Sequence, residues 1–347
     1  MHFIFFVRIH YGLENFRAAR PVVTIGTFDG VHLGHREVIT ELMKISHETG
    51  GESVVFTFSP HPRMVLTPEE DTIRLLSTLE EKIVLLEALE LDHLVIYPFT
   101  KEFAALSYTD FVSDILVGKM HIHKLVTGFD HKFGHDRKGD FQALVALGRQ
   151  YGFEVEQLNP LLVENVAVSS TRIRQALEAG DMRKANHFLG YSYLLKGVVI
   201  EGRRLGRDLG FPTANILPVP EFPVPERSRR VIPGTYFPVD SHKMIPLDGV
   251  YAVYVNVEGA RYEGMLNVGT RPTVNSNVDH RSIEVHIFDF NKDIYHKDIS
   301  VNFVERIRDE KKFENLALLI AQLKDDKTSA LLIFADLKND CNNLKSK

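Results

Sequence analysis

The sequence predicts a protein of two domains: an α/β domain with a parallel sheet, then an antiparallel β-barrel closed by a helix. The length of 347 residues matches two domains of roughly 150 residues each. From Val22 to about Gly180, short apolar runs alternate with longer amphipathic stretches, as strands and helices do in a parallel sheet. After Tyr191 the chain consists of short β-branched and aromatic runs separated by glycine or Asn-Lys turns, which is typical of antiparallel strands.

The first domain is predicted to alternate between strands and helices. Strands are expected at residues 3–7, 22–25, 53–58, 93–97 and 124–127, where apolar and β-branched side chains cluster. Helices are expected at residues 37–45, 79–91, 109–117 and 175–179, where apolar side chains recur at helical spacing. Strands joined by helices pair in parallel through right-handed crossovers, and ligands of such sheets bind beyond the carboxyl ends of the strands.

The second domain is predicted to be a small barrel. Its strands are expected at residues 193–201, 249–257, 261–268, 283–288 and 299–306, with one or two closing helices at 316–337. Residues 218–246 hold seven of the fifteen prolines, so this stretch is predicted to be an irregular surface insertion between barrel strands. We place the boundary at residue 186, which divides the chain into domains 1–186 and 187–347.

The composition excludes several classes of protein. Apolar residues make up 44% and charged residues 25%, which excludes a disordered or fibrous chain. The net charge of -5 gives no reason to expect a nucleic-acid partner. Cys341 is the single cysteine, so neither an intrachain disulfide nor a cysteine-based zinc site can form, and no run approaches the ~20 apolar residues of a membrane helix. We therefore expect a soluble cytoplasmic protein without a membrane partner, monomeric or weakly oligomeric.

The turn after the first buried strand is the first candidate site. It reads G-T-F-D-G-V-H-L-G-H and stands between a predicted strand and a predicted helix. Its glycines let the backbone approach a phosphate at a helix N-terminus. His32 and His35 can donate hydrogen bonds to the oxygens of an attacked α-phosphate, where charge builds up in the transition state. Two surface histidines in a glycine turn are the alternative. The candidate nucleotide-binding residues of this turn are Gly26, Thr27, Phe28, Asp29 and Gly34.

Three further polar segments are expected at the same edge of the sheet. The segment S-S-T-R-I-R at 169–174 offers hydroxyls and guanidinium groups suited to a triphosphate. A helix cap with a solvated basic turn is the alternative, and it is favoured slightly when the segment is considered alone. The segments T-F-S-P-H-P-R at 57–63 and G-F-D-H-K-F-G at 128–134 each follow a predicted strand. Because the carboxyl ends of parallel strands share one edge, we expect these segments to converge on a nucleotide.

The first half resembles the FMN adenylyltransferase module of bacterial bifunctional riboflavin kinase/FAD synthetases. The resemblance rests on G-x-F-D-G-V-H-x-G-H, T-F-x-P-H-P-R, G-x-D-x-x-F-G and S-S-T-x-I-R, which occur in the family's order. It implies a Rossmann-like nucleotidylyltransferase domain in which His32 and His35 stabilise the transition state of adenylyl transfer. The further residues that it implies in binding ATP are Asp130, Ser170, Thr171 and Arg174.

A glycine-spaced basic loop followed by Pro-Thr-Ala-Asn is the second candidate site. Backbone amides freed by glycines can hold phosphates, and Arg207 adds positive charge. The hydroxyl of Thr213 and the side-chain carbonyl of Asn215 are hard oxygen ligands, which suit a Mg²⁺ ion that also binds ATP. An ordinary β-hairpin with a solvated basic loop is the alternative. The candidate residues for ATP and Mg²⁺ are Gly202, Gly206, Arg207, Gly210, Thr213 and Asn215.

Glu284 is the candidate base of this second site. It stands in the run R-S-I-E-V-H-I-F, which places Ile283 and Val285 on one face of a strand and Glu284 on the other. A carboxylate there can accept the proton of a substrate hydroxyl as it attacks a γ-phosphate. A solvent-facing glutamate on a barrel strand is the alternative.

The second half resembles the riboflavin kinase module over nearly its whole length. The shared motifs are E-V-H-x-x-D-F, N-V-G-T-R-P-T, the glycine loop and P-T-A-N. This resemblance implies a Greek-key barrel in which Thr213 and Asn215 bind Mg-ATP and Glu284 acts on the ribityl 5′-hydroxyl. Together the two halves imply an enzyme that phosphorylates riboflavin to FMN and then joins FMN to the AMP of a second ATP, giving FAD and pyrophosphate, with Mg²⁺ as cofactor.

The flavin-binding residues are the least specified by the sequence. The chain has no tryptophan, so a ring stacked on the flavin must belong to Phe, Tyr or His. Core packing is the alternative for each phenylalanine. The candidates are Phe58, Pro60, Phe133 and Phe288.

Two other functions remain open from the sequence alone. One is a flavin-binding or regulatory protein that has kept the folds without turnover; the intact pair His32 and His35, together with Glu284, argues against it. The other is a single-activity transferase of the cytidylyl or phosphopantetheine type that uses the same H-x-G-H turn, but it leaves the kinase-like half unexplained.

Overall fold

The computed structural model describes residues 7–67, 73–128, 140–159, 161–163, 166–202, 205–219, 242–271 and 280–345. The chain forms two compact units. One comprises Met1–Ile73 and Lys82–Ser170, and the other comprises Arg74–Glu81 and Thr171–Lys347. The two units are defined by which residues pack together. The predicted boundary at residue 186 instead separates the two expected enzymatic domains, and it stays a prediction.

The first unit contains a six-stranded sheet in which every neighbouring pair is parallel, in the order β1-β4-β3-β2-β5-β6. Strands β2 to β6 taken alone have the order 3-2-1-4-5, as in a Rossmann fold, so the Rossmann-like prediction is confirmed. The predicted strand at 3–7 lies outside the described residues apart from Val7. The strands are β1 Arg8–Tyr11, β2 Val22–Ile25, β3 Ser53–Ser59, β4 His93–Pro98, β5 Lys124–Thr127 and β6 Glu154–Gln157.

The connections from β2 to β6 contain helices, of which α6 (Phe141–Tyr151) was not predicted, whereas β1 and β2 are joined without a helix. Helix α1 is longer than predicted and ends at Gly50, whose φ of 62° is the left-handed conformation that terminates helices. The predicted helix at 109–117 is a short α-helical turn followed by a π-helical segment, Phe111–Val117. The helices are α1 Leu33–Thr49, α2 Pro62–Leu66, α3 Leu79–Glu87, α4 Lys101–Ala104, α5 Tyr108–Asp110 and α6 Phe141–Tyr151.

Between the parallel sheet and the barrel the chain forms a two-stranded ribbon and two helices, and a third, short helix follows the first barrel strand. Strands β7 Leu162–Val163 and β8 Val166–Ala167 pair with each other, and the chain then enters α7 Ser170–Glu178 and α8 Met182–Leu189. Helix α7 starts five residues before the predicted helix, so the Ser-Thr-Arg segment forms its first turn. A short helix, α9 Leu205–Asp208, lies in the glycine-spaced loop.

Six antiparallel strands of the second unit close into the predicted barrel, in the order β10-β13-β12-β11-β14-β9. Five of these strands were predicted, and β10 was not. Strand β14 lies beside β11, so β11 to β14 have the spatial order 4-1-2-3 of a Greek key. One helix, α10 Leu316–Lys345, follows the barrel, where one or two were predicted, and it extends beyond the predicted end at residue 337. The strands are β9 Tyr193–Ile200, β10 Ala214–Pro218, β11 Gly249–Val257, β12 Ala260–Arg271, β13 His280–Ile287 and β14 Asp298–Arg308.

A buried ion pair holds the segment 74–81 within the second unit. The ammonium of Lys243 donates to Glu81 Oε2 at 2.6 Å, and both side chains are 1% exposed. Its other donors meet the carbonyl oxygens of Leu76 at 2.8 Å and Leu194 at 2.7 Å. Residues 220–241 of the predicted insertion lie outside the described part of the chain. At Lys243, however, the prediction of a surface segment is wrong, because this end of the insertion is in the core.

Candidate active sites

The turn between β2 and α1 holds the first candidate site at the carboxyl edge of the sheet. Strand β2 lies between β3 and β5, where the strand order reverses, and ligands of open α/β sheets bind at that point. The turn is sharply wound: φ is 47° at Phe28 and 37° at Val31. A positive φ at a β-branched residue costs about 1–3 kcal/mol, and such strain is concentrated at functional sites.

Neighbouring segments fix this turn through its backbone. Gly26 N–H donates to Phe56 O at 3.1 Å, and Thr57 Oγ1 donates to Thr27 O at 3.2 Å. Ser170 Oγ donates to Asp29 O at 3.1 Å, so the predicted Ser170 does lie against the turn. These bonds hold the turn in one conformation before any ligand binds, which lowers the entropic cost of binding.

His32 and His35 lie together at the start of α1. Their rings stack at 3.6 Å between centroids with an interplanar angle of 12°. His32 is the N-cap residue: its Nδ1 accepts the backbone N–H of His35 at 3.3 Å. An accepting Nδ1 places the proton of the neutral His32 ring on Nε2.

His35 is half-buried with its Nδ1 atom enclosed, and its ring is neutral. Burial, the neighbouring His32 and the charge of Lys82 together hold the pKa of His35 well below its ordinary value of 6.5. Its Nδ1 atom is buried and has no hydrogen-bond partner among the described residues. A buried polar atom of this kind is suited to an oxygen of a bound ligand. Lys82 was not predicted to lie near this site, because no motif surrounds it in the sequence.

Acidification is expected to destabilise the first unit. Burial and the charge of Arg8 also lower the pKa of His10 and the pKa of His93. Because the folded state disfavours the charged forms, the stability contributed by these histidines is fully present above about pH 6.5 and lost as the pH falls through the lowered values. Thermal unfolding followed by circular dichroism from about pH 7.5 to about pH 5 should give a falling melting temperature. The variant His35→Gln should give a shallower dependence, and an unchanged dependence would contradict the contribution of His35.

The other residues predicted for nucleotide binding differ in their surroundings. Asp29 is buried, and a methyl group on Gly34 would lie 3.4 Å from the His32 ring, an ordinary contact. Thr171 is exposed in the first turn of α7, while Arg174 Nε donates to the carbonyl oxygen of Arg74 at 2.6 Å within the second unit. The roles of Thr171 and Arg174 stay predictions. Asp130 and Phe133 lie outside the described residues.

Phe58 and Pro60 lie at the end of β3, at the same edge of the sheet. Phe58 is partly buried against the core of the first unit. Its ring makes edge-to-face contacts with the rings of Phe56 and Phe99, at 5.5 Å and 5.4 Å between centroids. Packing therefore accounts for the position of Phe58, and its part in flavin binding stays a prediction. Pro60 is half-buried next to it.

The second candidate site is on β10 and β13 of the barrel. Thr213 Oγ1 donates to Glu284 Oε2 at 3.3 Å. Asn215 on β10 is the antiparallel pairing partner of Glu284 on β13, which places their side chains on one face. Ile283 and Val285 are buried in the barrel while Glu284 is half-buried, so the predicted division of the two faces is confirmed.

Two glycines make room for this cluster. A Cβ on Gly202 would lie 2.1 Å from the side-chain nitrogen of Asn215. A Cβ on Gly206 would lie 2.3 Å from the carbonyl oxygen of Phe211. Gly210 has a φ of 77°, which favours glycine over other residues. Arg207 is exposed on α9. The loop therefore lies closer to the Thr-Ala-Asn turn than a side chain at Gly202 or Gly206 would allow. Phosphate binding by this loop stays a prediction.

Phe288 lies beneath α10. It is 4% exposed and packs with Phe211, Met265 and Phe334. This environment is the core packing that was the alternative for Phe288, and its part in flavin binding stays a prediction.

Asn267 belongs to this face and was missed as an individual residue. It is the pairing partner of Glu284 on the side opposite to Asn215. Asn267 is the first residue of the motif N-V-G-T-R-P-T, and this motif could have indicated it from the sequence. The amides of Asn215 and Asn267 therefore flank the carboxylate of Glu284 across three adjacent strands.

Comparison with known proteins identifies both halves. The FAD synthetase family matches residues 16–172, and the riboflavin kinase family matches residues 189–334. The bifunctional riboflavin kinase/FMN adenylyltransferase of Bacillus subtilis (strain 168) is 35% identical over 323 residues, which cover 92% of this chain and 94% of that protein. The chain belongs to this bifunctional family. The protein of the same description from Escherichia coli (strain K12) is 35% identical over 90% of this chain and 92% of its own length.

A solved structure has the same fold. The crystal structure titled as a macrolide-efflux protein from Streptococcus pneumoniae superposes with a TM-score of 0.78 at 30% identity, covering 94% of this chain and 98% of that one. In the described part of the chain, no helix combines the length and the apolar character that crossing a bilayer requires. The FAD synthetase match includes the turn with His32 and His35, and the riboflavin kinase match includes Thr213 and Glu284.

Proposed function

We propose that the two activities of this family are carried by the two separate side-chain clusters of this chain. The stacked pair His32 and His35 serves adenylyl transfer, and the Thr213–Glu284 cluster serves riboflavin phosphorylation. The observation that supports this division most is that each cluster belongs to a different compact unit and matches a different family.

Riboflavin phosphorylation is assigned to Glu284. Its carboxylate accepts the proton of the ribityl 5′-hydroxyl as that oxygen forms a bond with the γ-phosphorus of ATP and the bond to ADP breaks. The hydrogen bond from Thr213 Oγ1 at 3.3 Å holds Oε2 of Glu284 in place. The half-buried position of Glu284 leaves the carboxylate within reach of a substrate at the surface of the barrel.

Mg²⁺ is proposed as the cofactor of this step, and the donors present are appropriate for it. The hydroxyl of Thr213 gives its hydrogen to Glu284, so its oxygen lone pairs can face a cation, and Asn215 offers a carbonyl oxygen on the same face. Mg²⁺ usually binds through one or two protein oxygens together with substrate phosphates. When bound, the ion would neutralise part of the charge of the ATP phosphates.

Adenylyl transfer is assigned to His32 and His35. A phosphate oxygen of FMN attacks the α-phosphorus of ATP, and the bond to pyrophosphate breaks; no covalent enzyme intermediate is needed. The two imidazoles donate hydrogen bonds to the α-phosphate oxygens as their charge grows. The low pKa of His35 keeps that ring neutral near pH 7, so it acts as a hydrogen-bond donor without carrying a charge.

The experiment that tests the overall function is a chromatographic assay. Purified protein is incubated with Mg-ATP and either riboflavin or FMN, and the products are separated. We expect FMN and FAD from riboflavin, and FAD with pyrophosphate from FMN. Binding without product from either flavin would instead support a regulatory protein, and FAD from FMN alone would support a single-activity transferase.

The double variant His32→Ala/His35→Ala should separate the two activities. Loss of the donors to the α-phosphate is expected to lower conversion of FMN to FAD by about 10²-fold or more, while phosphorylation of riboflavin continues. The matched control is His47→Ala, an exposed histidine in the last turn of the same helix, which should leave both rates unchanged. Retention of FAD synthesis by the double variant would contradict the assignment.

We also propose that the protein acts in the cytoplasm as a monomer or weak oligomer. A reducing compartment is appropriate for a chain with one cysteine. Sedimentation of the purified protein at several concentrations tests the oligomeric state, and a stable large assembly would contradict it.

A further inference from the structure

His286 makes a hydrogen bond that links β13 to the Pro-Thr-Ala-Asn turn. Its Nδ1 lies 2.8 Å from the carbonyl oxygen of Pro212. A carbonyl oxygen can only accept, so the imidazole is the donor and carries a proton on Nδ1. His286 stands two residues after Glu284 on the same face of the strand, and Pro212 directly precedes Thr213.

This bond lies where the backbone pairing of β10 and β13 stops. The described pairs of the two strands are Asn215 with Glu284 and Ala214 with Val285. Proline has no N–H, so Pro212 cannot donate to a continuing ladder. The imidazole of His286 therefore supplies a hydrogen-bonded link between the turn and β13 beyond the last backbone pair.

The surroundings of His286 favour one fixed, neutral ring. The residue is 8% exposed, and the rings of Phe211 and Phe288 lie 5.2 Å and 5.7 Å from its own. Burial lowers its pKa and Lys327 contributes in the same direction, which outweighs the opposite effects of the Pro212 hydrogen bond and the charge of Asp289. A neutral ring with its proton on Nδ1 can keep the bond to Pro212 throughout the neutral pH range.

We propose that His286 is a positioning residue of the kinase centre, which holds Pro212 so that the Thr213 hydroxyl meets Glu284. The two contacts of β13 with the turn, His286 to Pro212 and Glu284 to Thr213, attach consecutive residues of the turn to the same strand. Without the first contact, Pro212 and Thr213 are held by fewer bonds and the Thr213 oxygen moves relative to Glu284. This inference rests on the proposed roles of Thr213 and Glu284.

Three substitutions of His286 in the full-length chain distinguish a role in positioning Pro212 from a role in packing alone. The side-chain amide nitrogen of asparagine can take the place of Nδ1, whereas that of glutamine takes the place of Nε2. His286→Asn keeps a hydrogen-bond donor at the position of Nδ1, facing Pro212 O. His286→Gln has its donor at the position of Nε2, away from Pro212 O, and His286→Leu has no donor. We expect kcat for FMN formation to fall about tenfold in the Leu and Gln variants and to recover to within about threefold in the Asn variant. The KM for riboflavin and the rate of FMN adenylylation should stay unchanged.

The outcomes distinguish this inference from the proposed function. Glu284→Gln is assayed beside the three variants. If Glu284→Gln stops FMN formation while the Gln and Leu variants keep the full kcat, or if the Asn variant falls as far as the Gln variant, His286 does not position the turn. If Glu284→Gln itself keeps full activity, the proposed role of Glu284 fails instead, and the inference falls with it.

A measurement on the unaltered protein covers the case in which a variant does not fold. Nitrogen-15 NMR of histidine-labelled full-length protein reports which ring nitrogen carries the proton. We expect the Nδ1–H tautomer at His286 near neutral pH. The Nε2–H tautomer would overturn the inference, because that ring could not donate to Pro212.

Discussion

Glu284→Gln is expected to lower the rate of FMN formation by about 10²- to 10⁴-fold, while conversion of FMN to FAD continues at nearly its original rate. Glutamine has nearly the same side-chain volume as glutamate, and its side-chain oxygen can still accept the hydrogen bond from Thr213 Oγ1. It cannot, however, take up the proton of the substrate hydroxyl. The loss should therefore appear in kcat, with little change in the KM for riboflavin.

The measurement follows FMN and FAD separately in the same preparation. Glu263→Gln is the matched control: it changes a glutamate of the neighbouring strand β12, whose carboxylate contacts the exposed Lys338 at 2.6 Å. The control should leave both rates unchanged. Loss of both activities in folded Glu284→Gln protein would contradict the independence of the two sites, and full FMN formation would contradict the role of Glu284.

Lys243→Met is expected to destabilise the second unit by about 3–5 kcal/mol. Methionine keeps most of the length of the side chain but removes the ammonium, so the carboxylate of Glu81 stays buried without its counter-charge. The carbonyl oxygens of Leu76 and Leu194 also lose the donor that meets them at 2.8 Å and 2.7 Å. A charge left unpaired in the interior costs more than the pair itself contributes.

Thermal inactivation of the kinase activity measures this effect in the full-length chain. The exposed pair Lys297–Glu258, at 3.7 Å, supplies the matched control: Lys297→Met should shift the inactivation temperature little, because surface pairs contribute about 0–1 kcal/mol. The double variant Lys243→Met/Glu81→Gln should recover part of the loss, since the buried charge is then removed. Equal inactivation temperatures of Lys243→Met and Lys297→Met would contradict a stabilising role for the buried pair.

The order of the strands and helices could be predicted because it follows from local patterns. The buried run before Gly26 and the helical spacing after it placed the H-x-G-H motif after a strand and before a helix. In the structure the motif does follow β2, but the helix begins earlier, so that His32 is its N-cap and His35 lies in its first turn. Alternation of apolar residues likewise placed Glu284 on the face opposite to Ile283 and Val285. Period and spacing express how a single strand or helix presents its side chains, so one segment is enough to determine them.

The partners of buried polar groups could not be predicted in this way. Glu81 and Lys243 stand 162 positions apart, and no spacing rule relates them. The low pKa of His35 depends on burial and on Lys82, and the bond from His286 to Pro212 depends on the register of β10 and β13. The packing of Phe288 under α10 likewise depends on contacts between segments that are distant in the sequence.

By itself the sequence determined the fold class, the two families and the motifs that carry the chemistry. Only the tertiary structure decided which buried charge is paired, which imidazole stays neutral and which hydrogen bond holds the Thr213 turn against Glu284. The physical reason is that hydrogen bonding and desolvation act over a few ångströms in space, between groups that the chain brings together only when it folds.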